Sequence, residues 1–193
     1  MEPHHMRRIT NIVLLSGIIS LLLYSSCQKF EQFPDEPIIT YDGFLLENDL
    51  ETGVTYRGVL ILRYQDGNGD IGLASWDTMP PFNYGSEYYY NLVISYFEMR
   101  NGEWEEVFLV FENIQNQTYD TITFSARIPI LTPINNNQAI SGFIQDTLFL
   151  YNPLSEKLYD TIKFSAYIID RALNKSNVIE TPPIIVKRDT SSL

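Results

Sequence analysis

From residue 38 onward, short apolar runs alternate with clusters of turn residues. The runs are rich in β-branched and aromatic side chains, as in VTYRGVLILRY at 54–64, and some alternate their apolar positions on one face, as in TIKFSAYI at 161–168. A period of two marks half-buried strands, because successive side chains point to opposite faces of a sheet. Strands are expected at 38–46, 54–64, 88–99, 103–112, 119–130, 139–151, 158–170 and 178–187. Asn101-Gly102, between the third and fourth, signals a two-residue hairpin turn. Pro129, Pro133, Pro153, Pro182 and Pro183 sit at strand ends or edges, where a missing N–H is tolerated. No segment sustains a capped helical stripe. About eight strands with regular turns predict an all-β protein, an antiparallel β-sandwich.

One segment has an echo. YDTITFSARI (119–128) returns as YDTIKFSAYI (159–168), with eight of ten positions identical at a spacing of 40. The two are expected to hold related places in a sheet. A solenoid needs at least about three such units, so the echo does not make this a repeat protein.

The first 26 residues follow a different pattern. Arg7 and Arg8 precede an apolar stretch, 9–23, that is interrupted by Thr10, Asn11, Ser16, Gly17 and Ser20. This reads as an export signal rather than a membrane span, which needs about 20 apolar residues. Leu23-Tyr24-Ser25-Ser26-Cys27 resembles a bacterial lipobox. That resemblance implies diacylation of Cys27, removal of the leader and membrane anchoring through the new N-terminus. Gln28-Lys29-Phe30-Glu31 resembles the tether of Bacteroidota-type lipoproteins displayed on the outer face of the outer membrane; a periplasm-facing anchor is the alternative. The expected organisation is a signal at 1–26, an acylated Cys and tether at 27–37, one sandwich at 38–188 and a tail at 189–193.

Composition narrows the chemistry. Thirteen basic and 24 acidic residues give a net charge of −11, which argues against nucleic-acid binding and favours divalent cations. Both histidines, His4 and His5, and the single Cys lie at or before residue 27. The rest of the chain therefore has no Ser-His-Asp triad, no Cys-His nucleophile and no zinc site of His or Cys. Carboxylate chemistry remains. Glu103, Glu105 and Glu106 flank Trp104, but neighbours on a strand face opposite ways, which suits a solvated edge better than a glycosidase pair.

The sharpest motif is Asp66-Gly67-Asn68-Gly69-Asp70-Ile71-Gly72. Calcium takes six to eight hard oxygen ligands, and Asp/Asn/Asp at alternate positions on a tight loop can aim three inward. Counted from Asp66, the spacing is that of an EF-hand. Asp66, Asn68 and Asp70 stand at positions one, three and five, the Gly72 carbonyl at seven and the Asp77 carboxylate at twelve. Position six is Ile71 instead of Gly, position twelve is Asp instead of Glu, and the loop follows a strand. The expected site is thus a structural calcium loop on a β-scaffold. A hairpin turn is the competing reading, since Asp-Gly and Asn-Gly are both turn dipeptides.

The DGNGDIG-L segment, Arg127-Ile-Pro-Ile-Leu-Thr-Pro133 and Ile169-Asp170-Arg171-Ala172-Leu173-Asn174-Lys175-Ser176-Asn177 together resemble uncharacterised Bacteroidota-type lipoproteins. The last segment is also similar to the closing hairpin of bacterial Ig-like domains. The resemblance implies an Ig-like or fibronectin-like sandwich and an exported location, and it assigns no activity. It also raises the prospect that Asp170 approaches the calcium loop from the same end of the sandwich.

Asp-Thr-aliphatic triplets at Thr78, Thr121, Thr147 and Thr161 resemble Bacteroidota O-glycosylation acceptors. Trp76 and Tyr84, in a Pro-rich stretch beside the acidic motif, are candidate glycan contacts. The functional expectation is a non-enzymatic, lipid-anchored binding or structural module, possessing a calcium site and meeting a glycan or a surface protein. A carbohydrate-binding accessory of a glycan-uptake system and a carboxylate-dependent glycoside hydrolase are the alternatives.

Overall fold

A computed structural model describes residues 33–113, 115, 118–132, 138–150 and 159–188. The leader, Cys27 and most of the tether lie outside them. Among the described residues there are ten strands and no helix. They are β1 (Ile38–Asn48), β2 (Thr55–Asp66), β3 (Leu92–Arg100), β4 (Glu103–Glu106), β5 (Leu109–Asn113), β6 (Thr118–Ile122), β7 (Ile140–Phe149), β8 (Thr161–Ile168), β9 (Ile179–Glu180) and β10 (Ile184–Ile185).

Every pairing is antiparallel. One sheet runs β1-β2-β7; the other runs β10-β8-β3-β4, with β9 also on β8; β5 and β6 form a separate ribbon. The two sheets hold eight strands and share one core. Ile39, Leu60, Leu62, Ile144 and Leu148 come from the first sheet. Leu92, Ile94, Tyr96, Ile162, Phe164 and Ile168 come from the second. Alternation places them: β8 buries every second residue, and β2 does so from Gly58 to Asp66. The all-β antiparallel sandwich expected from the pattern is the fold observed.

Turn chemistry acts where it was expected. Asn101 and Gly102 both have positive φ, 53° and 88°, as a two-residue hairpin turn requires, and join β3 to β4. Three expected strands are interrupted or cut short. The run at 119–130 is a strand only as far as Ile122, and beyond it the chain meets β3 through a single bridge at Ala126. The run at 103–112 breaks at Val107 and Phe108 as the chain leaves β3 for the ribbon. The run at 178–187 breaks at Thr181-Pro182-Pro183, where two consecutive residues lack an N–H. β3 starts at Leu92, and Tyr88–Tyr90, expected in a strand, belong to the preceding loop.

The echo has a spatial meaning. β8 pairs along one side of β3, while on the other side Leu92 and Ala126 exchange backbone hydrogen bonds and Ser125 Oγ accepts the Ile94 N–H. The two copies therefore flank the same strand. Their equivalent phenylalanines, Phe124 and Phe164, meet edge to face with ring centroids 5.4 Å apart.

Side-chain amides close gaps that strands leave open. Asn177 accepts the Ile39 N–H and donates to the Ile39 carbonyl, both at 2.9 Å, tying β1 to the segment after β8. Asn91 does the same for Ile128. At the other end of the sandwich Arg188 donates to the Leu150 and Tyr159 carbonyls and to the Tyr96 hydroxyl. Glu98, 1% exposed, is there bonded by Tyr96 and Arg100.

Candidate metal centre

β2 ends at Asp66, and the glycine-rich loop that follows is packed against three other stretches of chain, at 33–34, 129–132 and Gln138. The Gly67 N–H donates to the Pro34 carbonyl, and a Cβ at Gly67 would strike the Phe33 and Pro34 backbone. The Thr132 hydroxyl donates to the Gly69 carbonyl. Gly72 has φ of 115°, and a Cβ there would strike the backbone of Pro129 and Ile130. Glycines in this motif thus admit close backbone neighbours as well as permitting the turn.

The loop brings two carboxylates together, and the C-terminal hairpin adds a third. Oxygens of Asp66, Asp70 and Asp170 all lie within 4.8 Å of one another. Asp66 is fully buried and Asp170 is 1% exposed. Asp66 Oδ2 accepts the Asp70 N–H at 2.9 Å. Asp70 Oδ2 accepts the Ala172 N–H at 3.1 Å, and its carbonyl accepts the Arg171 N–H. Both Asp170 oxygens are held by Asn174, through its backbone N–H at 2.7 Å and its side-chain amide at 2.8 Å. These bonds fix the three carboxylates in place.

Two oxygens have no hydrogen-bond donor. Asp66 Oδ1 and Asp70 Oδ1 are the buried side-chain polar atoms, among the described residues, that no group of the protein satisfies. An unpaired buried polar atom costs roughly 1–3 kcal/mol, and more when it is charged. The contrast with Glu98 is direct, since that buried carboxylate is bonded by a tyrosine and an arginine. Burial pushes the Asp66 carboxyl up to about 6, assisted by the negative charges of Asp70 and Asp170. Asp70 is raised by burial and then by Asp170, and Asp170 is raised by its own burial.

A pH dependence follows. In cation-free protein the folded Asp66 binds its proton more tightly than an unfolded aspartate. The stability that proton supplies is complete below about pH 4 and is lost as pH rises through about 6. Chelated protein is therefore expected to unfold at a higher temperature near pH 5 than near pH 7.5. Calorimetry in the presence of a chelator checks this, and a steady rise in stability from pH 5 to 7.5 would refute it.

The remaining expected ligands are placed differently. Asn68 Oδ1 accepts the Asp70 N–H at 3.2 Å and so helps close the turn. Gly72 lies in an extended stretch that pairs with 128–131, with Leu73 donating to the Ile128 carbonyl and Leu131 to that of Ile71. Ile71, Leu73 and Ala74 are core residues, so after Asp70 the chain enters the sandwich instead of wrapping a central ion. Asp77 is carried away with it. Its carboxylate accepts the Ala74 N–H and pairs with Arg171, which holds it below the usual carboxylate range. Twelve-residue EF-hand spacing therefore does not describe this cluster; its third carboxylate, Asp170, comes from about a hundred residues downstream.

Trp76 and Tyr84 are 70% and 84% exposed, as a contact surface requires. Thr78, Thr121 and Thr147 are exposed, and Thr161 is half-buried with its hydroxyl on Asp160. Cys27 lies outside the described residues. Sequence reasoning missed Arg127. Its guanidinium donates to four carbonyls of the loop after the acidic motif, those of Ala74, Asp77, Phe82 and Tyr89, and lies over the Tyr89 ring. Arg127→Ala is expected to cost about 1–3 kcal/mol and to make residues 74–90 cleavable by protease in otherwise folded protein. Unchanged cleavage would show that the loop holds itself.

The arrangement presents three anionic oxygen ligands, two of them with an unengaged atom, and offers neither nitrogen nor sulfur. Such a donor set suits a hard cation. Tested against family models, curated proteins and solved structures, the chain matches none of them.

Proposed function

We propose that this chain is an exported, lipid-anchored β-sandwich serving as a binding or structural module, completed by a divalent cation held by Asp66, Asp70 and Asp170. The observation that carries this reading is the pair of buried, unsatisfied carboxylate oxygens beside a third buried carboxylate. Calcium is the cation proposed. Its bonds of 2.3–2.6 Å span donors spaced as these are, and it tolerates irregular geometry where magnesium demands a near-ideal octahedron. Three protein carboxylates leave places for carbonyls and water in its shell of six to eight.

The anchor rests on the lipobox-like run ending at Cys27. Two or more acyl chains hold a protein on a membrane stably, where one does so only marginally. Cys27→Ser is expected to move the protein from the membrane fraction to the soluble one, and retention on the membrane would refute the anchor. For the cation, titration calorimetry with calcium in excess magnesium is expected to show one site per chain. That site should be lost in Asp66→Asn. Absence of heat and of any calcium-induced change in spectrum would remove the cation from the reading.

A further inference from the structure

We propose that the cation is a latch between the two sheets, so that closure of one end of the sandwich, and the seating of the segment leading from the membrane tether, follow the surrounding calcium concentration. This rests on the cation reading above and names how that site is regulated.

The ligands come from both sheets. Asp66 is the last residue of β2 in the first sheet, and Asp70 lies in the loop beyond it. Asp170 stands two residues after β8 of the second sheet. The polar contacts that join the sheets at this end surround the cluster. Arg171 and Ala172 donate backbone N–H groups to the Asp70 carbonyl and carboxylate. Asn177, at the far side of the same hairpin, pairs with Ile39 of β1. Gly67, next to Asp66, holds the Pro34 carbonyl, and there the segment from the tether enters the fold. Three carboxylates within 4.8 Å, two buried and one half-buried, push these pieces apart, and a divalent cation draws them together.

The opposite end is built otherwise. β3 pairs with β8 from Leu92–Ile168 to Glu98–Ile162, which puts Glu98 about 20 Å along the strand from Leu92. There Arg188 reaches Leu150, just past β7 of the first sheet, and Tyr96 of the second. Thr55 and Lys187 also exchange hydrogen bonds, linking β2 to the chain beyond β10. Here the cation joining the sheets is a side chain of the protein and does not leave. One end is held by a permanent cation and the other by an exchangeable one. Calcium modules of extracellular proteins bind at about 0.1–1 mM. With an affinity in that range the latch is open in a calcium-poor cytoplasm and shut after export.

The test is hydrogen exchange on the full chain in detergent micelles, with millimolar calcium or with chelator, alongside calcium titration of the same sample. The amides of Ile39, Gly67, Ala172 and Asn174 are expected to exchange about tenfold or more slowly with calcium. Those of Ile94 and Phe164 in the core, and of Lys187 at the Arg188 end, should change little. Asp170→Asn should abolish the difference, while Asn177→Ala should speed exchange at Ile39 and leave calcium affinity within about twofold. Calcium that binds without slowing the four amides would overturn the latch and leave the cation site standing. Protection spread evenly over all amides would also overturn it. No binding at all would overturn the cation reading itself.

Discussion

Calcium at a hundredfold excess over its dissociation constant will stabilise this protein by about 2.7 kcal/mol, and Asp170→Asn will cancel the effect. For a chain of this length that is a rise of roughly 5–10 °C in unfolding temperature. The size follows from linkage. An ion that needs three carboxylates placed by folding binds the native state and not the unfolded chain. The site's geometry adds a discriminating control. Asp77→Ala breaks the pair with Arg171 but removes no oxygen from the Asp66, Asp70 and Asp170 group. It should lower stability with and without calcium alike, and leave the calcium-induced rise intact. If Asp77→Ala abolished the rise and Asp170→Asn did not, the EF-hand-like ligand set would be correct and the cross-sheet set wrong. Scanning calorimetry of the wild type and the two variants decides between them.

Phe164→Ala will be the more damaging core change, at about 3–5 kcal/mol. Phe164 is fully buried near the middle of β8. Its ring stacks on Phe44 of β1 across the sandwich, with centroids 5.5 Å apart. It also meets Tyr96 of β3 and Phe124 of the echo segment, each at 5.4 Å. Each aromatic pair adds about 0.5–1.5 kcal/mol beyond the area it buries, and no neighbour can collapse into the space without breaking another pair. Against a typical total of about 5–15 kcal/mol, that is a large share of what keeps a domain folded. Phe149→Ala, by contrast, removes a ring that is 66% exposed and should change stability by under about 0.5 kcal/mol. Urea unfolding midpoints measure both. Equal effects would mean that Phe164 does not organise the core.

The strands were legible because burial on one face writes a period of two into the chain. β8 shows it residue by residue, β2 shows it in its burial from Gly58 on, and Asn101-Gly102 announces its own turn through the positive φ it tolerates. The loop at 74–91 was not legible in the same way. Its tyrosines at 88–90 have high strand propensity, yet four carbonyl contacts to Arg127, three of them within 74–82 and one at Tyr89, hold it out of the sheet. Propensity is a local quantity, and Arg127 is a distant residue. The candidate site was half legible. Asp66 and Asp70 are close in sequence, so their spacing showed that they would share a turn. Asp77 lies only seven residues beyond Asp70 but does not join the group, because Ile71, Leu73 and Ala74 between them are drawn into the core.

By itself the amino-acid sequence determined the fold class, the positions of most strands, the acidic turn after β2 and the exclusion of histidine and thiol chemistry beyond residue 27. These follow from periodicity, turn propensity and composition, all of which act over a few residues or over the whole chain at once. Only the tertiary structure decided which carboxylate joins Asp66 and Asp70, which echo segment lies on which side of β3, and which arginine holds which loop. Those are meetings of residues separated by tens to more than a hundred positions. They are set by sheet pairing and by which apolar residues are buried, and neither is written in the spacing of the residues that meet.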